Sequence, residues 1–306
     1  MQKKIILISF LFILLCVDLL IGIYHITSEF NILVIPDLAI SIVSIYMAGD
    51  IFLDVSYHVG KSISFSEKYV GLFIVGFAAI VDEIIMSVMA AAENLGTISF
   101  GTIQGSNAIT LLAFFILIPL YYKSGISKFR VDSYVITVTA VALLIISFYF
   151  VKVPYYVGFV TLIIFLFYVI RKVKSSEIES EIVAEEVYPS YFGILAIAVI
   201  MFASYNMINS ALIVSHILNV NTFISSFFLL GFFGSLPEIM MMSISLRDNR
   251  RDVSIGMIAG STVYKETILF SIIAFIGTLT FRDSFFSLIL MVVFSIVLII
   301  YSIIFV

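Results

Sequence analysis

Two glutamates stand inside long apolar runs of this sequence, where ionisable side chains are rare. Glu83 lies in the stretch GFAAIVDEIIM and Glu238 in the stretch GFFGSLPEIMM, and each follows a glycine by seven residues. A carboxylate at such a depth in a membrane costs at least about a few kcal/mol unless a partner compensates its charge. Carboxylate oxygens are preferred ligands of hard cations such as Ca²⁺. The two positions therefore predict a cation site inside the membrane.

The two glutamates occupy equivalent positions in a duplicated segment. Residues 76–107 and 231–262 align without a gap at a constant offset of 155, with 11 identities in 32 positions. Because the identities include a carboxylate, an amide, serines and glycines, internal duplication explains them better than shared apolar composition does. In the first copy they are Gly76, Phe77, Glu83, Ile84, Met86, Asn94, Ser99, Gly101, Ile103, Gly105 and Ser106.

Other groups near the glutamates could add ligands. Pro237 has no backbone N–H, which frees a carbonyl one turn earlier, near Phe233 and Gly234. The G-x-x-x-G-S runs at 101–106 and 256–261 would let helix backbones approach closely and bring hydroxyls to the same depth. Helix packing alone also explains such runs, so the paired glutamates carry the functional signal.

Composition places the chain in a membrane. Of its 306 residues 62% are hydrophobic and 12% charged, and the mean hydropathy is +1.21, which excludes a soluble globular domain. Cys16 is the single cysteine, so disulfides and cysteine metal sites within one chain are excluded, and the net charge of −4 gives no sign of nucleic-acid binding. We predict an all-α polytopic membrane protein with crossings at about 4–25, 37–58, 68–92, 98–121, 131–150, 153–171, 190–217, 221–246, 253–279 and 283–305.

Basic residues predict the orientation. With a cytoplasmic N-terminus, 13 of the 16 basic residues fall in inside loops, so both termini should be cytoplasmic. The glutamate helices then enter from opposite sides, and the repeats are inverted, as in secondary transporters. The basic residues counted inside are Lys3, Lys4, Lys61, Lys68, Lys123, Lys128, Arg130, Arg171, Lys172, Lys174, Arg247, Arg250 and Arg251.

The predicted organisation has four parts. Residues 1–30 form an extra N-terminal transmembrane helix, and 37–171 form the first inverted half with its repeat at 76–110. Residues 172–188 form an acidic cytoplasmic linker, for which a regulatory cation-binding role stays open. Residues 189–306 form the second inverted half, with its repeat at 231–265 and a single crossing after residue 280.

The pattern GSLPE at 234–238, followed eighteen residues after its glutamate by G-x-x-x-G-S, resembles the α-repeat signature of the cation/Ca²⁺ exchanger superfamily. The resemblance implies an antiporter of about ten helices with two inverted-topology repeats. It implies that Glu83 and Glu238 coordinate the cation centrally. It also implies oxygen donors at Ser106, Ser235, Ser261 and the carbonyls near Ala79 and Gly234.

The chain departs from that signature at several positions. Where the first repeat of the family has T-S-L-P, this chain has Ala79, Ile80, Val81 and Asp82, and Thr110 and Lys265 replace an Asn or Asp four residues after the serine of each G-S pair. These changes remove ligands for Na⁺. H⁺ is the natural substitute, because membrane-embedded glutamates can accept protons when Ca²⁺ leaves.

Two charged neighbours of the glutamates, Lys265 and Asp82, each allow two interpretations. Lys265 could act as a tethered counter-ion beside Glu83 or Glu238, or it could pair with Glu266 or snorkel away from the site. Asp82 could be a proton-titrating partner of Glu83 or face a polar crevice. We expect Lys265, if it lies at the site, to shift the coupling away from Na⁺.

The sequence thus predicts a secondary active antiporter, most simply of Ca²⁺ against Na⁺ or H⁺, and not an enzyme. No cofactor, nucleic acid or obligate protein partner is expected; the partners are small inorganic cations and the lipid bilayer, and the location is the cell membrane. One alternative is a divergent paralogue that moves another cation. A second is an intramembrane aspartyl protease, prompted by Asp50 and Asp82, although the chain lacks the Y-D and G-x-G-D pair of such enzymes.

Overall fold

The computed structural model is helical over most of the residues that it describes. These are 2–27, 34–62, 66–121, 129–174, 189, 191–219, 222–277, 279–281 and 284–304. Within these ranges the chain forms no β-strand, and Lys152 and Thr280 make an isolated bridge. The acidic linker predicted at 172–188 lies outside the described residues from 175 onward.

Within the described ranges the helices fall into ten segments, numbered α1 to α10 in chain order, and this number agrees with the prediction. Seven segments are single helices: α1 (Gln2–Thr27), α2 (Val34–Ser62), α4 (Gly96–Tyr121), α5 (Arg130–Tyr149), α6 (Tyr155–Lys174), α7 (Tyr191–Leu218) and α10 (Phe285–Ile304). The other three, α3 (67–92), α8 (222–247) and α9 (251–276), contain stretches of wider π-helix at Val70–Val75, Ser225–Leu230 and Lys265–Leu269.

The duplication is visible in the helix bounds. Both ends of α8, α9 and α10 lie 155 residues after the ends of α3, α4 and α5, and the π-helical stretches in α3 and α8 have the same offset. The turns that follow α3 and α8 also match, because Asn94 and Asn249 both adopt the left-handed conformation, with φ of 63° and 60°. The structure therefore repeats well beyond the stretch of sequence identity.

The two halves pack into each other at their glycines. A Cβ atom at Gly105 on α4 would collide with the carbonyl of Phe227 in the π-helical stretch of α8. At the equivalent place in the other half, a Cβ at Gly260 on α9 would lie 2.5 Å from the carbonyl of Leu72 in α3. The G-x-x-x-G runs therefore bring each half's helix against the other half's backbone, as small residues do in membrane helices.

The outer surface of this helical bundle suits a lipid bilayer. In the part of the chain that the structure describes, seven helical runs are long and apolar enough to cross a membrane; they lie in α2, α4, α5, α6, α8, α9 and α10. Segments α1 and α7 contain shorter apolar stretches. Large apolar side chains on the outside, such as Leu20, Leu120, Tyr149 and Phe286, are exposed. Because backbone groups in lipid must be satisfied internally, helices are the expected element. The chain is a multi-pass membrane protein.

Segment α1 covers polar residues on α2 and α7. Asn206 on α7 donates a hydrogen bond to the backbone carbonyl of Asp18, 2.6 Å away. Ser210 donates to the carboxylate of Asp37 over 2.5 Å. Asp18 and Asp37 are both buried, so these contacts attach α1 to α7 and α7 to α2.

Ion pairs at the other end of α2 fix it to the second half. Asp50 lies 2.7 Å from Arg247 at the end of α8, and Asp54 lies 2.7 Å from Arg250. Both pairs are partly exposed, so each contributes at most about 1 kcal/mol to stability. Their effect is positional, because they hold α2 beside the turn between α8 and α9.

The close approach at Gly105 predicts a steric effect of a single methyl group. Gly105→Ala should lower stability by about 1–3 kcal/mol, because the colliding atoms belong to backbone and cannot rotate away. Gly49→Ala is the matched control: its Cβ would meet the flexible side chain of Met241 at 3.3 Å. The melting temperature of the detergent-purified variants measures both changes. Equal melting temperatures for Gly105→Ala and the wild type would contradict this packing.

Candidate cation site

Glu83 and Glu238 meet between the two halves of the fold. Each is completely buried. Glu83 follows an interruption of α3 at Ala79 and Ile80, whereas α8 remains helical through Pro237 up to Arg247. A Cβ at Gly234 would lie 3.2 Å from Oε1 of Glu83. The glycine therefore lets the carboxylate of the first half rest against the backbone of the second, one turn before Glu238.

The ammonium of Lys265 lies between the two carboxylates. Its Nζ is 2.8 Å from Oε2 of Glu238 and 3.4 Å from Oε2 of Glu83. It also donates a hydrogen bond to Oγ of Ser106, 2.9 Å away. None of these four side chains has exposed surface. Lys265 therefore neither snorkels nor pairs with Glu266, and the structure places it at the site.

Thr110 contacts the same carboxylate from the opposite half. Its hydroxyl donates a 2.5 Å hydrogen bond to Oε2 of Glu238. Thr110 and Lys265 occupy equivalent positions of the two repeats, 155 residues apart. Both departures from the family signature therefore converge on one oxygen of Glu238. Its other oxygen, Oε1, accepts no hydrogen bond from the described residues.

The charges of the site are unbalanced. With both carboxyl groups ionised, two carboxylates face one ammonium, which leaves one negative charge in a region without exposed surface. Buried charges are tolerated when they are paired and hydrogen-bonded, and Lys265 with Ser106 and Thr110 supplies such pairing. Chemically, the site offers carboxylate oxygens to a cation, and at present an ammonium of the chain itself takes that place.

The other predicted oxygen donors make different contacts in the described part of the structure. Ser235 donates to the carbonyl of Phe232 at 2.8 Å, and Ser261 to that of Ile258 at 3.2 Å, so both hydroxyls bond to their own helices. Ala79 is buried at the interruption of α3. The side chain of Asp82 lies outside the described part of the structure. The contacts therefore join Thr110 to Glu238 and Ser106 to Lys265, whereas Ser235 and Ser261 bond to backbone.

Two further polar residues were not singled out from the sequence. Gln104 and Asn107 on α4 donate hydrogen bonds to Oε1 of Glu266, at 3.2 Å and 2.8 Å. All three side chains are buried. The spacing of three places both amides on one face of α4, and amides on an otherwise apolar helix are the signal that could have identified them.

A second buried lysine shows what a purely structural pair looks like. Lys172 on α6 lies 2.7 Å from the carboxylate of Asp132 on α5, and Tyr168 donates a 2.7 Å hydrogen bond to the same carboxylate. One ammonium faces one carboxylate here, so the charges balance. This pair ties α5 to α6 and provides a comparison for Lys265.

The contacts of Lys265 predict how the protein responds when this side chain is truncated. Lys265→Met should destabilise the protein by about 3–5 kcal/mol, because it leaves two buried carboxylates without a cation. Adding Glu238→Gln should recover part of that loss, since it removes one stranded charge, and a double-mutant cycle on unfolding measures the coupling. Lys172→Met with Asp132→Asn is the matched control cycle. Strictly additive effects of the Lys265 and Glu238 changes would contradict the ion pair.

Comparison with known proteins agrees with this architecture. The sequence pattern of the family described as sodium/calcium exchanger protein matches residues 33–174 and 190–306. The fold is similar to that of the sodium-calcium exchanger NCX_Mj soaked with 10 mM Na⁺ and zero Ca²⁺, with TM-score 0.72 and 19% identity over 89% of this chain and 92% of that one. The same exchanger soaked with 10 mM Na⁺ and 10 mM Sr²⁺ gives TM-score 0.72 and 18% identity over 89% and 91%.

Among proteins of curated function, no sequence matches the chain. Because the structural matches have low sequence identity, they show a similar fold only. The family pattern, in contrast, covers both halves of the sequence. The matched residues cover both buried glutamates and Lys265. The chain belongs to the sodium/calcium exchanger protein family.

Proposed function

We propose that this protein is a secondary active antiporter that exchanges Ca²⁺ for Na⁺ or H⁺ around Glu83 and Glu238. One observation carries the proposal: two glutamates from inverted halves meet at a fully buried site, with a positive charge held between them. A buried site that already accommodates a cation of the chain is suited to a cation from solution. Family membership supports cation exchange as the general activity.

Ca²⁺ fits the oxygen groups better than a monovalent ion does. The two carboxylates carry two negative charges, which balance Ca²⁺ when the ammonium of Lys265 moves away. The hydroxyl of Thr110 already contacts Glu238, and that of Ser106 contacts the ammonium that would move away. The backbone near Gly234 lies against Glu83. Six to eight oxygens are typical for Ca²⁺. Ser235, Ser261 and the carbonyl of Ala79 would complete such a set.

Alternating access would follow from the repeat. Because each half contributes one glutamate and packs its glycine helix against the other half, rocking of the halves would open the site to one side or the other. Segments α2 and α7, which α1 covers, are the candidate gating pair. The excess of basic residues in the predicted inside loops supports cytoplasmic termini and a location in the cell membrane.

The position of Lys265 supports an alternative transport function. An ammonium 2.8 Å from Glu238 competes with any incoming cation, so a divergent carrier for a different cation remains the second candidate. The protease alternative loses its basis. Asp50 forms an ion pair with Arg247 at the surface, and the family to which the chain belongs consists of transporters.

Neutralising either glutamate should abolish transport. In proteoliposomes with imposed ion gradients, Glu83→Gln and Glu238→Gln should each reduce Ca²⁺ uptake to background, because each removes a central charge that a divalent cation needs. The matched control is Glu93→Gln, which changes an exposed carboxylate directly after α3 and should leave uptake unchanged. Uptake that survives either buried substitution would refute the proposal.

Lys265 should determine the coupling ion. Its permanent positive charge repels a monovalent cation by several kcal/mol, on the order of 4 kcal/mol at about 4 Å and an effective dielectric near 20. Lys265→Asp should therefore strengthen Na⁺-driven exchange relative to H⁺-driven exchange. Separate Na⁺ and H⁺ gradients across the same vesicles measure the ratio. The prediction is wrong if the wild type already exchanges Ca²⁺ for Na⁺ and Lys265→Asp changes neither the rate nor the ion preference. Lys265 would then have no role in selecting the coupling ion.

A further inference from the structure

Glu266 is a third buried carboxylate next to the candidate site, and Lys265 does not neutralise it directly. It is 1% exposed, and among the described residues the ion pairs of Lys265 are with Glu83 and Glu238. Its Oε1 accepts hydrogen bonds from the amides of Gln104 and Asn107, at 3.2 Å and 2.8 Å. Its Oε2 is buried and accepts none from the described part of the chain.

The two amides can serve both protonation states of this carboxyl group. An amide side chain carries an N–H donor and a carbonyl acceptor. The N–H groups of Gln104 and Asn107 now hold Oε1, while their own oxygens are buried and accept no hydrogen bond within the described residues. A protonated Glu266 still accepts these hydrogen bonds at Oε1, and an amide that rotates by 180° can instead offer its oxygen to the O–H group. This arrangement suits H⁺ better than Na⁺, which would need several oxygens, not N–H groups, directed at it.

The local backbone distinguishes this position from its repeat counterpart. Glu266 lies in the π-helical stretch Lys265–Leu269 of α9, whereas the equivalent residue of the first half, Leu111, lies in the unbroken α-helix of α4. Short π-helical stretches occur often at functional sites. The chain therefore breaks its own two-fold symmetry at the residues where the lysine and the third carboxylate occur.

Lys265 is the charged side chain nearest to Glu266 in sequence, and it lies on the same π-helical stretch. The other titratable groups on the packed segments are engaged elsewhere: Glu83 and Glu238 with Lys265, and Asp132 with Lys172 and Tyr168. The ring of Tyr264 contacts Phe77 and Phe165. The side chain of Asp82 is outside the described residues.

From this geometry we propose that Glu266, held by Gln104 and Asn107, binds the H⁺ that is exchanged for Ca²⁺. The proposal rests on the proposed antiport and names its coupling ion and the residue that carries it. On one side of the membrane an O–H bond forms at Oε2 and the carboxylate becomes neutral. On the other side that bond breaks and the proton returns to water. Neither step requires another reactant.

The experiment separates Ca²⁺ translocation from proton coupling. Purified full-length protein in liposomes is assayed in two modes: exchange of radioactive Ca²⁺ for unlabelled Ca²⁺ at equal pH on both sides, and Ca²⁺ uptake driven by a pH gradient without Na⁺. The first mode needs no coupling proton. The second mode does.

Glu266→Gln should retain a rate of Ca²⁺–Ca²⁺ exchange within about twofold of wild type. Its pH-driven Ca²⁺ uptake should fall at least about tenfold, which corresponds to about 1.4 kcal/mol. Glu93→Gln is the control and should leave both modes unchanged. Gln104→Leu, which removes one amide, should retain Ca²⁺–Ca²⁺ exchange and shift the pH at which driven uptake is half-maximal.

Several results would overturn the proposal. They are full pH-driven uptake in Glu266→Gln, loss of both modes in a folded Glu266→Gln protein, and uptake driven by Na⁺ but not by pH in the wild type. If Glu266→Gln does not fold, an unchanged pH profile in Gln104→Leu overturns it instead. A wild type without Ca²⁺–Ca²⁺ exchange would refute the antiport itself, which distinguishes that failure from a failure of Glu266 as the proton carrier.

Discussion

The cost of burying two carboxylates inside a membrane bundle shapes this structure. Glu83 and Glu238 are both without exposed surface, and each uncompensated charge at such a depth costs at least about a few kcal/mol. The chain meets that cost with the ammonium of Lys265 and the hydroxyls of Ser106 and Thr110. With both carboxyl groups ionised, one negative charge remains, and the proposed cation binding rests on this residual charge.

Duplication explains how the carboxylates come together, and departures from it explain the chemistry. Helix bounds, π-helical stretches and the left-handed asparagines repeat at one offset, and Gly105 and Gly260 bring the halves into backbone contact. The site itself is asymmetric. The first half contributes an interrupted helix and Thr110, while the second half contributes Pro237, Lys265 and a π-helical stretch. A symmetric scaffold thus holds an asymmetric set of charges.

Much of this could be predicted from the sequence, because it depends on local properties. Apolar run length predicted ten helices, and the glutamates, Ser106, Thr110 and Lys265 followed from the repeat. The partners of Glu266 could not be predicted, because they depend on how closely α4 approaches α9 across the halves. The interruption at Ala79 and Ile80 was equally inaccessible, since the copy with the proline stays helical and the copy without it is interrupted.

The central claim is that the ammonium of Lys265 and the transported cation compete for the same two carboxylates. A structure of the protein in lipid nanodiscs with saturating Ca²⁺ tests it most directly. We predict an ion at about 2.3–2.6 Å from oxygens of both Glu83 and Glu238, with the ammonium of Lys265 displaced from Glu238. Ca²⁺ bound elsewhere, while Lys265 still bridges the two glutamates, would contradict the account.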